Sequence, residues 1–86
     1  MAKNTLIKSR KKIDKIDRKI AQLIIQRFGI VKLVGEYKKA NNLPIFVPQR
    51  EQAVKAQLRA YIGQQLPENA IENIMQVIMD EAKKIE

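Results

Sequence analysis

Residues 5–40 can form a single helix of about 36 residues, which at 1.5 Å per residue rises about 54 Å. The whole chain has only 86 residues. No proline falls in that stretch, and Thr5 suits an N-cap. From Ile13 onward the inward positions Ile16, Ile20, Leu23, Ile30, Val34 and Tyr37 follow at alternating three- and four-residue steps, with Arg27 taking one slot. Asn41, Asn42 and then Pro44 mark the end. Such a helix is longer than a domain of this size is wide. Its apolar stripe cannot be covered by the short remainder of the chain, so the length alone calls for a partner.

The remainder reads as two shorter helices. A connector from Asn41 to Val47 offers Leu43, Ile45 and Phe46 for packing. Pro48 suits the first position of a second helix reaching to about Ile62, with Val54, Leu58, Tyr61 and Ile62 on its apolar face and Gly63 as a stop. Pro67 is expected to open a third helix whose apolar residues are Ile71, Ile74, Met75, Ile78, Met79, Ala82 and Ile85. Strand-like alternation is absent. The expected fold is all-α, one domain over residues 1–86, with one long and two shorter helices. A lone domain this small buries only about 60–65% of its unfolded surface, and association is one remedy.

Composition removes several kinds of chemistry. With no cysteine there is no disulfide framework and no thiolate. With no histidine, the usual zinc sites, Ser-His triads and imidazole acid–base catalysis drop out. No cofactor or metal is expected. No stretch reads as a membrane span or a signal peptide, so a cytoplasmic protein is expected. The formal charge is +8, and Lys3, Lys8, Arg10, Lys11, Lys12, Lys15, Arg18 and Lys19 crowd the first 19 positions. That segment is open to three readings: a nucleic-acid surface, a solvated face, or cations that meet a small anionic ligand.

The sharper signal is charge on apolar faces. Arg27, Val31, Val34 and Lys38 stand at i, i+4, i+7 and i+11, on one face of the long helix. Two cations about 16 Å apart along the axis bracket a floor of two valines, room for a small organic anion. A buried cation needs a counter-charge, so Arg27 either meets such a ligand or pairs with an acid such as Glu51. Glu51 sits on the apolar side of helix 2 with Val54 and Leu58, either as a site residue or as a helix-end charge. Arg50 beside it reads as an ordinary surface arginine. Arg10 lies on the inner side of helix 1 but about 25 Å from Arg27, too far to share a site within one helix. An antiparallel partner helix would bring Arg10 of one chain toward Arg27 of the other.

In this order and spacing, Arg10 through Asp17, Gln26-Arg27, Val34 through Lys38, Pro44 through Glu51 and Ile74 through Met79 resemble the all-helical chorismate mutase family over nearly the whole chain. The resemblance implies an intertwined homodimer of three-helix chains with two shared sites that convert chorismate to prephenate, a step toward phenylalanine and tyrosine. It implies that Arg27 and Arg10 of the partner subunit bind the substrate carboxylates and that Lys38 faces the ether oxygen and ring hydroxyl. Glu51 would hold the hydroxyl, with Arg50 supporting a carboxylate. Val34, Val47 and Ala82 fall at substrate-lining positions, and Gly35 at a close helix contact. Four positions depart from the family pattern. Val47 replaces a capping aspartate and Ala82 a serine. Lys83 replaces an apolar wall residue. Glu86 replaces the glutamine that donates to the ether oxygen, after a one-residue deletion near Gln65.

The implied reaction is a [3,3] rearrangement that needs no nucleophile, metal or proton transfer. Gripping both carboxylates selects the compact conformer, and a cation at the ether oxygen meets the charge that grows there. Two rivals stand beside this reading. An isochorismate–pyruvate lyase shares the fold and cation set, but an apolar residue would be expected at Glu51. A non-catalytic basic helical module would bind nucleic acid with steep salt dependence, and leaves Arg27, Lys38 and Glu51 on apolar faces without a reason.

Overall fold

The computed structural model describes residues 2–86, and the side chains of residues 4–86. Lys3 of the basic segment lies outside the described side chains. The described chain is all-helical, in the order α1 (Ala2–Ala40), α2 (Pro48–Ile62) and α3 (Ala70–Lys83).

The long helix is longer than expected. It begins at Ala2, so Thr5 lies within it and is not its cap. Nothing between Ala2 and Thr5 breaks a helix, and a threonine that could cap does so only where the backbone leaves the helical region. The other end falls where Asn41 and Asn42 place it. Asn42 takes the left-handed conformation, φ 54°. The Leu43 N–H then bonds the Lys38 carbonyl at 2.8 Å, and the Asn42 N–H bonds the Lys39 carbonyl at 3.4 Å. These are the two reverse bonds that close a helix with an αL residue.

α2 starts at Pro48, as expected, because proline at the first helical position gives up no needed donor. Val47 holds the cap position in extended conformation without a side-chain cap bond. Gly63, at φ 58°, ends the helix with its N–H on the Arg59 carbonyl. α3 corrects the expectation at Pro67. Asn69 is left-handed, φ 65°, which interrupts any helix between Pro67 and Ala70. Pro67 instead opens a turn closed by the Ala70 N–H on its carbonyl.

Packing is lopsided. α2 and α3 pack on each other, and α1 meets α3 near its own C-terminal end. Met75, Met79 and Ala82 of α3 form the buried apolar core. Tyr61, expected on the inner face of α2, is 84% exposed. The molecule measures 60 × 25 × 16 Å with a radius of gyration of 16.8 Å. A compact chain of this length would have about 12 Å. Along α1, Ile13, Ile16, Ile20 and Leu23 are all about half exposed or more. Together they form a continuous exposed apolar stripe along the helix. Among the described residues, no helix is long and apolar enough to cross a membrane.

Candidate active site

The C-terminal third of α1, the start of α2 and the end of α3 enclose a cleft of about 310 Å³. That is the lower end of the range for small-molecule sites. α1 supplies Arg27, Val31, Val34 and Lys38, α2 and its cap supply Val47, Arg50 and Glu51, and Ala82, Lys83 and Glu86 close the far side. Every site residue expected within one chain therefore lines one cleft. Arg10 does not. It is exposed on α1, about 25 Å of helix from Arg27, as its spacing requires.

The floor is apolar and the walls are charged. Val31 and Val34 sit between the two α1 cations, facing Val54 and Met79. Arg27 does not pair with Glu51, whose partners are Lys83 and Gln76. Among the described residues neither Arg27 nor Arg50 joins an ion pair. Both guanidinium groups thus remain available to an anionic ligand, and a planar fork of donors suits carboxylates.

Lys38 is engaged but not saturated. Its Nζ donates to the Ile45 carbonyl at 2.9 Å and to Glu86 Oε1 at 2.9 Å. An ammonium has three donors, so one remains. The Glu86 side chain is only 7% exposed. Its close approach depends on Gly35: a Cβ there would lie 2.8 Å from the Glu86 Cα. The close contact expected at Gly35 is present, and its neighbour is the residue three beyond Lys83.

Glu51 is held from two sides. Oε2 pairs with Lys83 Nζ at 2.8 Å, and Oε1 accepts from the Gln76 amide at 3.1 Å. The Lys83 hydrogen bond holds the Glu51 carboxyl below its usual range; burial opposes this, and Gln76 assists. The same bond raises Lys83. Lys83 also sits 4.5 Å over the Phe46 ring and 3.1 Å from Asp80. The position expected as an apolar wall is therefore a charged one, with its stem along the cleft and its head on Glu51.

Comparison with known proteins decides the family. The family described as chorismate mutase type II matches residues 9–86. The chain belongs to the chorismate mutase type II family. A relative named chorismate mutase, from Methanocaldococcus jannaschii, is 34% identical over 82 residues, covering 94% of this chain and 83% of its own. A bifunctional chorismate mutase/prephenate dehydratase from Aquifex aeolicus is 33% identical over 81 residues, 90% of this chain. A T-protein from Enterobacter agglomerans is 34% identical over 76 residues, 85% of this chain. This chain spans only 22% and 20% of those last two proteins. No solved structure gives a significant match.

In this chorismate mutase family member, the sequence pattern gave no expectation that Gln76 and Lys83 would hold Glu51. Gln76 and Lys83 flank Met79 at i, i+3 and i+7, on the buried face of α3. The rule that singled out Arg27 and Glu51, polar groups on an apolar face, applies equally here.

Proposed function

We propose that the protein rearranges chorismate to prephenate, as an intertwined homodimer with two sites shared between chains. The observation that carries this reading is the cleft itself: two unpaired arginines and a partly free lysine around a valine floor, with an ionised Glu51 opposite. Chorismate is a dicarboxylate with a ring hydroxyl and an ether bond. Arg27 binds one carboxylate and Arg10 of the partner subunit the other, with Arg50 in support. The free donor of Lys38 meets the ether oxygen as charge develops there, and Glu51 accepts from the hydroxyl. Val34, Val47 and Ala82 line the ring. The enzyme contributes orientation and fixed charge; the bonds break and form within the substrate.

Two features support the dimer and point the same way. The N-terminal half of α1 leaves its apolar stripe bare. Arg10 on that half is out of reach of its own cleft. A second α1 laid antiparallel covers the stripe and delivers Arg10 to the cleft that lacks it. A dimer of this kind has an unfolding midpoint that rises with protein concentration. A monomeric mass by sedimentation at micromolar concentration would remove this half of the reading.

The direct test is product identity. Purified protein is mixed with chorismate, and separately with isochorismate, and products are resolved by chromatography. Prephenate from chorismate is the expected result. Pyruvate released from isochorismate, with chorismate untouched, would establish the lyase instead.

A further inference from the structure

The contacts around Glu51 close into a ring. The Gln76 amide nitrogen donates to Glu51 Oε1 at 3.1 Å and to Asp80 Oδ1 at 3.0 Å. Lys83 Nζ contacts Glu51 Oε2 at 2.8 Å and the same Asp80 oxygen at 3.1 Å. Outside the ring, Lys55 donates to Gln76 Oε1 at 2.7 Å, which fixes the amide with its nitrogen toward the two carboxylates. Phe46 lies under the Lys83 ammonium at 4.5 Å. Each Glu51 oxygen is therefore tied once, and each keeps a further acceptor site. Resting on the mutase reading above, we propose that Lys83, seconded by Gln76, is a positioning residue: the ring holds Glu51 as a carboxylate in one orientation, so that it serves only as acceptor to the substrate hydroxyl.

The physical need is clear from the surroundings. Glu51 shares its cleft with Arg27 and Lys38 of α1, Arg50 of its own helix, and Glu86 beyond α3. On the other side it faces Lys83, Gln76 and Asp80 of α3, with Lys55 behind Gln76. An untethered Glu51 could swing to either free arginine and take a cation meant for a carboxylate. It could also accept a proton, since burial and Asp80 both favour the neutral acid. A neutral Glu51 would offer a donor where the hydroxyl needs an acceptor. Lys83 works against both outcomes. A purely structural α2–α3 staple would do neither.

The test separates these roles. In Lys83→Met, kcat/KM should fall several-fold at the acid end of the profile and recover as pH rises, because losing the cation raises the Glu51 titration and moves the acid limb upward. Lys83→Arg should restore the wild-type profile. Lys55 lies outside the cleft, so Lys55→Met should reproduce a smaller part of the loss through Gln76 alone. In a Glu51→Gln background, Lys83→Met should change nothing further. An unaltered pH profile in Lys83→Met, or a loss that persists undiminished in Glu51→Gln, would overturn the proposal. Carboxyl-carbon NMR of Glu51 reads the tether without turnover: its titration should rise in Lys83→Met and return in Lys83→Arg. That readout stands even where wild type yields no prephenate, so failure of the reaction and failure of the tether remain distinct.

Discussion

The two halves of α1 share one pattern and live in different surroundings. From residue 4 to residue 23 every side chain is exposed. From Arg27 onward, Phe28, Val31 and Lys38 are half-buried and Gly35 is buried, against Glu86. Yet the three-and-four spacing of apolar residues runs through both halves. Periodicity thus marks a face fit for packing and does not say whether the same chain covers it. Only the length of the helix, set against the size of the chain, separates a face that can be covered at home from one that cannot.

The strongest way to break that division is at its two arginines. Arg27→Ala and Arg10→Ala should each lower turnover about 100- to 1000-fold, the usual cost of losing one donor to developing or bound charge. Mixed after subunit exchange, the two inactive proteins should regain about a quarter of wild-type activity, because half the dimers then carry one intact site of two. Absence of recovery after confirmed exchange would place Arg10 outside the site.

A charge set into the bare stripe probes the other half. Ile20→Asp should destabilise the dimer by more than about 2 kcal/mol, since the carboxylate would have to be desolvated on association. Tyr61→Asp, on an exposed face of α2, should stay within about 0.5 kcal/mol. Equal denaturation midpoints for the two variants, at matched protein concentration, would deny the stripe its role.

Smaller effects sharpen the covered half. The family resemblance sets position 86 at the ether oxygen, so Glu86→Gln, which puts an amide donor in place of a carboxylate, should raise the rate at neutral pH about fivefold, equivalent to about 1 kcal/mol. Equal rates in the two proteins would leave Lys38 as the main group there. Gly35→Ala should cost about 1–2 kcal/mol, because the added carbon meets backbone that has to move. Gly29→Ala, six positions earlier with nothing within 4 Å, should gain about 0.5–1 kcal/mol from helix propensity. Thermal melts of the pair give the sign directly.

Much of this was legible in the residues. Pro48 and the Asn41-Asn42 pair fixed boundaries because each has few conformations to choose from. Arg27, Lys38 and Glu51 stood out because charge on an apolar face demands a reason. The misses have equally local causes. Thr5 looks like a cap, but no residue before it stops the helix. Pro67 favours a helix start, yet the left-handed Asn69 comes between it and Ala70. The resemblance gives position 83 an apolar wall role, so it offers no place for a lysine; where its ammonium goes depends on Glu51, Asp80 and Phe46, which only the folded chain brings together.

α1 is also a ruler with an angular scale. Arg10 and Arg27 stand on one unbroken helix, so their separation and their relative heading are set by the residue count between them. Inserting a single residue would push Arg10 about 1.5 Å along the axis but swing it about 100° around it. Insertion of a full heptad would nearly restore the heading and displace Arg10 by about 10 Å. Between these two residues the sequence is therefore free to vary in identity along the outer face and hardly at all in number. On the shared-site proposal, a change of length there would disarm a site whose every local contact was still intact.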